Sequence, residues 1–306
     1  MHLVDLFCGA GGASCGAHLA GMTVALAVDA CPAALAVHAH NHPGCAHTCL
    51  ELPAELPPLP PEPRHVHASP PCQSFSVANM AGHKGGAHGA KRARTRRERG
   101  LDLVVWAIRT ARALGTTWSF EQVNAPEIRA ALREEGADFV VVDCARLGLP
   151  QTRRRLIAGS AEIVAGLRAA LRAGAPARGV RDVVPVCRGT HVRNCTTNTY
   201  RTLDGKRTLI RLTEDHPSFA RDVTQPAYTA TGCSPMRWWT PGNAASSTFT
   251  PHELALVQGF PVDYVLDAHR MSAYTQIGNA VPPPIFALVA RLAMRAAAEG
   301  THGGSA

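Results

Sequence analysis

The chain of 306 residues is defined first by what it has little of. No apolar run approaches the roughly 20 residues that a membrane helix needs, so no membrane association is expected. The first residues, Met1-His2-Leu3-Val4-Asp5-Leu6-Phe7, carry no basic segment and meet an acid at once. A secretory leader is therefore not expected. Charged residues are only 18% against 46% hydrophobic, which excludes wholesale disorder. Cysteine, at ten copies, falls short of a disulfide scaffold. Without an export signal the expected compartment is the reducing cytoplasm, with free thiols, so a cysteine is available for catalysis. Acid is in deficit: 31 Lys+Arg face 23 Asp+Glu, a net charge of +8, with a pI near 9.2. A polyanionic partner fits that balance, although charge alone does not identify one. There is no internal repeat. Length divided by about 150 suggests two domains.

Residues 1 to 160 alternate short apolar runs with helical stretches. Strands are expected at His2–Phe7, Met22–Val28, His65–Ala68, Thr117–Phe120, Asp138–Cys144 and Arg155–Ala158. Helices are expected at Ala13–Leu19, Pro32–His40, Leu101–Leu114 and Pro126–Glu135. That alternation predicts an α/β fold, a doubly wound and mostly parallel sheet with helices on both faces. Residues 176 to 247 differ. Their strand signals are short and broken by Gly, Pro, Thr and Asn, which reads as a small, irregular, β-rich second domain. Residues 250 to 264 regain helical character, and Pro283–Glu299 is a strong Ala/Leu/Arg helix with proline at its start.

Five motifs can carry chemistry. Phe7-Cys8-Gly9-Ala10-Gly11-Gly12 follows a strand and opens a helix, where glycines allow close backbone approach and the helix start offers free N–H groups. Asp29, at the end of the next strand, can accept the ribose hydroxyls of a nucleoside. Ser14 stands where a G-x-G-x-x-G pattern needs its last glycine, which counts against a dinucleotide oxidoreductase. The second motif is Ser69-Pro70-Pro71-Cys72-Gln73-Ser74-Phe75-Ser76. Its prolines fix the backbone and set Cys72 at a strand end, where a thiol can be accessible. The third, Glu121, ends another strand on the rim where ligands gather in open parallel sheets. The fourth, Pro150-Gln151-Thr152-Arg153-Arg154-Arg155, is extended, so Arg153 and Arg155 are expected to point the same way. The fifth runs from Gln276 through Gly278-Asn279-Ala280-Val281-Pro282 and reads as ordered turns leading into a helix.

Together and in this order, the five motifs resemble those of the cytosine-C5 DNA methyltransferase family, in its small bacterial or phage form. The resemblance spans nearly the whole chain. It implies a Rossmann-like S-adenosylmethionine-dependent fold, with residues 1–178 as the catalytic and cofactor domain. Residues 179–247 become the target-recognition domain, and 248–306 a return segment. It implies S-adenosylmethionine as cofactor, held by Phe7, Gly9, Ala10, Gly12, Asp29, Ala30 and Pro71, with Asn279, Ala280 and Val281 closing the pocket. Cys72 becomes the nucleophile, Glu121 the acid at the base, and Arg153 and Arg155 their supports. Gln73 and Ser76 become DNA contacts beside the nucleophile. Two departures stand out. Gln122 follows Glu121 where the family has asparagine, and Cys49 falls where the family has an acid that contacts adenine; Glu51 is a substitute nearby.

Lys84 to Arg99 holds seven basic residues against Glu98, with glycines in its first half. It is expected as a mobile loop that closes over DNA phosphates through Arg94, Arg96 and Arg97. Arg237, Trp238 and Trp239 are candidates for groove contacts. The partner is then double-stranded DNA, acted on by a monomer, and a cognate restriction enzyme stays open, as does a phage role. Two readings remain beside this one: the same chemistry on RNA, and a catalytically silent DNA-binding protein of the same fold. His38, His40, His42, Cys45, His47 and Cys49 crowd into twelve residues. Their spacing fits no closed structural zinc pattern, so no metal is expected.

Overall fold

The computed structural model describes residues 1–72, 75, 87–193, 198–203, 206–211, 220–231, 236–240 and 247–302. The side chains of 87–94, 96, 198–203, 206–211 and 300–302 lie outside that description. Gln73 and Ser76 fall outside it altogether.

The chain divides into two compact units, of which the first comprises Met1–Asp143, Arg154–Gly174 and Ala280–Ala306. Its elements begin β1 (His2–Leu6), α1 (Gly12–Leu19), β2 (Thr23–Asp29), α2 (Pro32–Asn41), β3 (Ala46–Cys49) and β4 (Arg64–Ala68). They continue α3 (Ala87–Leu114), β5 (Thr117–Val123), α4 (Pro126–Glu134), β6 (Phe139–Asp143), β7 (Arg154–Gly159) and α5 (Ala161–Ala173). The second unit, Cys144–Arg153 with Ala175–Asn279, contains β8 (His191–Arg193), β9 (Asn198–Leu203), β10 (Lys206–Arg211), β11 (Ala220–Asp222), β12 (Arg237–Trp239) and β13 (Ser247–Thr248). Helices α6 (Pro251–Gln258) and α7 (Arg270–Asn279) complete it, and α8 (Pro283–His302) returns to the first unit.

The first unit is a seven-stranded sheet in the order β3-β2-β1-β4-β5-β7-β6. Strands β3, β2, β1, β4 and β5 run parallel, and β7 is antiparallel to both its neighbours. These strands are short apolar runs because both sheet faces are covered. Val66 and Ala68 of β4 join a core with Val104, Ala107, Ile108 and Ala111 of α3 and Ile128 and Leu132 of α4. The alternate residues His65 and His67 face the other way, toward Phe286 of α8. A stretch with the length and apolarity of a membrane span, Arg270–Glu299, has 61% of its apolar window buried inside the protein, as in a core helix.

The chain winds outward in both directions from the β1–β4 boundary. Strands β2 and β3 lie on one side of it and β5 to β7 on the other. That boundary is a topological switch point, where the connections after neighbouring strands diverge and open a crevice at the strand ends.

In the second unit, β11-β8-β12-β13 form a four-stranded antiparallel sheet, and β9 pairs with β10 as a hairpin. Trp238, a candidate for a DNA groove contact, is instead fully buried and stacked on Phe249 at 4.2 Å. It lies opposite Val192 across the β8–β12 ladder, and both are completely buried. Residues 248–279 cluster with this unit.

The basic stretch expected as a loop is helix from Ala87 onward, continuous with the amphipathic segment to Leu114. Between Gly89 and Gly100 every residue except Thr95 is Ala, Lys, Arg or Glu, all strong helix formers, and these outweigh the glycines.

Candidate active site

The site is built at the switch point from three strand ends. After β1 the backbone turns through Gly9 and Gly11, both at positive φ, with Gly11 at 96° as the N-cap of α1. Gly12 then has no room for a side chain, because a Cβ there would lie 2.3 Å from the carbonyl oxygen of Val281. Ala280 and Val281 therefore sit directly against the start of α1. Gly9 faces open space, with nothing within 4 Å of an added Cβ.

Asp29 closes this turn from β2. Its Oδ2 accepts from the Gly9 N–H at 2.8 Å and its Oδ1 from the Cys31 N–H at 2.8 Å. Each carboxylate oxygen has a second acceptor position, so the group can still take hydroxyl donors from a ligand. Phe7 holds φ 61°, a strained value for an aromatic residue, and its ring meets Trp106 edge-on at 6.2 Å. Trp106 has no place in the sequence motifs; its signal was only an apolar position on the predicted helix Leu101–Leu114. An open glycine cradle at a helix start and a carboxylate at the next strand end together fit a nucleoside cofactor.

Cys72 follows β4 through Ser69, Pro70 and Pro71. The loop is fastened on both sides. The Ser69 N–H donates to the Leu6 carbonyl at 3.2 Å, and its hydroxyl donates to the Phe7 carbonyl at 3.4 Å. From β5, the Gln122 side-chain amide donates to the Pro70 carbonyl at 2.8 Å, while its Oε1 accepts from the Val123 N–H at 2.7 Å. The longer residue at position 122 thus reaches the cysteine loop. Cys72 is half-buried. Other thiols nearby are poor nucleophile candidates, since burial holds the Cys8 thiol well above its ordinary pKa and pushes Cys45 up to about 12.

Glu121 sits on β5, almost fully buried, paired to Arg155 Nε at 3.0 Å. The register explains the pair. Val123 lies opposite Arg155 across the antiparallel β5–β7 ladder, so Glu121 is the diagonal neighbour on the same face. Arg153 belongs to the second unit. Its guanidinium, 1% exposed, donates to the carbonyls of Ala230 at 2.9 Å and Gly278 at 3.0 Å. Gln151 is also buried there, with its amide on Val257 and Gln258 and its oxygen on the Ala230 N–H. Asn279 ends α7 in the second unit, whereas Ala280 and Val281 lie in the first. Among the expected DNA contacts, Arg97 pairs with Glu127 at 3.2 Å and Arg237 lies on β12, half-buried. Arg94 and Arg96 lie on α3 at positions whose side chains are not described. Ala30 and Pro71 are exposed beside Asp29 and Cys72.

A family model described as C-5 cytosine-specific DNA methylase matches residues 1–104 and 191–294. The chain belongs to this family. A curated methylase relative, the type II methyltransferase M.Bpa9945I of Bacillus paralicheniformis, is 42% identical over 55 residues, 18% of this chain and 12% of that protein. The matched part thus spans about an eighth of the relative's length. Among solved structures, a putative DNA modification methyltransferase encoded within an E. coli prophage matches with TM-score 0.58 at 19% identity. That match covers 96% of this chain and 99% of the other. The S. pombe Dnmt2 methyltransferase matches with TM-score 0.57 at 15% identity, covering 96% and 98%. Both likenesses concern the fold, which is one that methyltransferases adopt.

Proposed function

We propose that this methylase family member transfers a methyl group from S-adenosylmethionine to C5 of cytosine in double-stranded DNA, with Cys72 as its nucleophile. The observation that carries the proposal is the fastening of the Cys72 loop. Ser69 ties it to the end of β1, and Gln122 ties it to β5, beside the Glu121–Arg155 pair.

S-adenosylmethionine, when bound, supplies an electrophilic methyl group. Phe7, Gly9, Ala10, Gly12, Asp29, Ala30, Pro71, Ala280 and Val281 are the residues that hold it in this reading. Cytosine C5 is a weak nucleophile. Attack of the Cys72 thiolate on C6 forms a C–S bond and pushes electron density to C5. Glu121, kept in place by Arg155, hydrogen-bonds the N3 edge and offsets the charge that develops there. After methylation the C5 proton leaves and the C–S bond breaks, which restores the ring and the free thiolate. The target base must leave the duplex stack to reach Cys72. In this reading residues 179–247 read the target sequence, and the basic stretch Lys84 to Arg99, with Arg94, Arg96 and Arg97, neutralises phosphates.

The test is intact-mass analysis with S-adenosylmethionine and a duplex pool containing 5-fluorocytosine. Fluorine at C5 blocks the final proton loss, so the expected result is a covalent adduct on DNA that maps to Cys72 and carries one added methyl group. Trapping on RNA alone would transfer the reading to an RNA substrate. No trapping on either, with cofactor bound, would leave a DNA-binding protein without catalysis.

A further inference from the structure

The histidine- and cysteine-rich stretch between α2 and β3 takes no part in the chemistry above, yet its side chains converge. His38 of α2 and Cys45 are buried, and His47 of β3 is half-buried. One ligand atom from each lies within 4.8 Å of the other two. His38 Nδ1 and His47 Nε2 are 2.8 Å apart. We propose that His38, Cys45 and His47 form a zinc-binding site behind the glycine turn.

The donors suit the ion. Two imidazole nitrogens and one thiolate are preferred zinc ligands, and three protein ligands leave a fourth position for water. Tetrahedral coordination with ordinary zinc bond lengths separates ligand atoms by about 3.3 to 3.6 Å. The two histidine nitrogens must therefore part slightly, and Cys45 must draw in by about an ångström at most. His47 can accommodate this, because β3 is the edge strand of the sheet.

The surroundings of His38 resemble the outer shell of a metal site. The Ser14 hydroxyl donates to Asp5 Oδ2 at 2.7 Å, so its oxygen accepts from His38 Nε2 at 2.9 Å. That fixes the ring with its Nδ1 lone pair toward His47 and Cys45. Carboxylate-linked histidines of this kind are oriented and made more basic toward a metal. The Cys45 backbone is in turn a hydrogen-bond partner of the His47 ring. On binding, zinc takes the place of the hydrogen between the two rings. His47 moves its proton to the other ring nitrogen, and Cys45 releases its thiol proton to solvent. His42, its ring tilted against that of His38 at 4.7 Å and hydrogen-bonded to the Gly11 backbone, links the cluster to the glycine turn.

The test uses the full chain, stripped with chelator and titrated with Co²⁺ and then Zn²⁺. One equivalent of Co²⁺ should produce a thiolate-to-cobalt charge-transfer band in the near ultraviolet, displaced by one equivalent of Zn²⁺. Cys45→Ser should abolish that band, and Cys31→Ser, an exposed thiol outside the cluster, should keep it. His47→Asn should weaken Co²⁺ at least tenfold, and Ser14→Ala by about 10- to 100-fold through loss of the outer-shell contact. A wild-type protein without the band, or a band that survives in Cys45→Ser, would overturn the site. If Cys45→Ser does not fold, His47→Asn decides, and unchanged Co²⁺ affinity in a folded His47→Asn protein overturns it.

Discussion

Acid should weaken this protein through His67. The side chain is completely buried on β4; its Nδ1 shares the Ser119 hydroxyl with His65, and its Nε2 has no hydrogen-bond partner among the described residues. Burial holds its pKa well below the ordinary 6.5, and the nearby His65 pushes the same way. The sign follows from linkage. The unfolded chain takes up a proton below pH 6.5 while the folded one does not, so the stability is full above pH 6.5 and is lost as pH falls toward the folded pKa. Each pH unit in that window costs about 1.4 kcal/mol, so a drop from pH 7 to pH 5 costs about 2 kcal/mol through this residue. Asp5, which burial raises to about 7, opposes the trend, and His38, lowered by burial to about 3, adds to it. Both are present in wild type and variant, so they cancel in a difference. Urea unfolding of wild type and His67→Leu at pH 7 and pH 5 isolates the residue. The wild type should lose about 2 kcal/mol more than the variant across that interval, with m-values unchanged. Equal losses would refute the assignment of a buried, neutral His67.

Four further outcomes are expected. Cys72→Ser should abolish methyl transfer in a tritium assay while calorimetry finds cofactor affinity unchanged; retained turnover would end the proposed mechanism. Gln122→Leu removes the side-chain partners of the Pro70 carbonyl and the Val123 N–H, a loss of about 1–3 kcal/mol. Turnover well below the melting temperature should fall while cofactor affinity holds, whereas an unchanged kcat would mean that the loop does not need the tie. Gly12→Ala drives a methyl group against the Val281 carbonyl, a strain of about 1–3 kcal/mol that should lower the thermal midpoint and cofactor affinity together. Joint neutralisation of Arg94, Arg96 and Arg97 should weaken DNA binding on all sequences and flatten its salt dependence by about one unit per lost phosphate contact; an unchanged slope would remove α3 from the interface.

Much of the first unit was legible because its local signals agree. Apolar runs that end in Gly or Pro mark β1 and β4, an apolar run that ends at Asp29 marks β2, and the glycine turn with Asp29 marks the crevice. What was illegible depended on distance. Gln122 reads only as a departure from the family's asparagine, yet its amide reaches the Pro70 carbonyl, 52 residues away. The start of α3 read as a loop because Gly85, Gly86 and Gly89 drew more weight than the Ala/Arg/Lys run behind them. Trp238 reads as a groove candidate alongside Arg237 and Trp239, while its burial against Phe249 leaves no local trace. Arg153 and Arg155 share a strand-like spacing, yet the boundary between the units falls at Arg153/Arg154.

That boundary bears on modularity. The chain passes between the two units four times, at 143/144, 153/154, 174/175 and 279/280. The ten residues Cys144–Arg153 are a separate thread of the second unit, and they hold it from within, through Gln151 on Val257 and Ala230 and through Arg153 on Ala230 and Gly278. A graft that exchanged only one contiguous cassette for that of a relative would keep the old thread and break these buried bonds. Exchange of the second unit by recombination therefore requires the short thread and the long segment to change as a matched set.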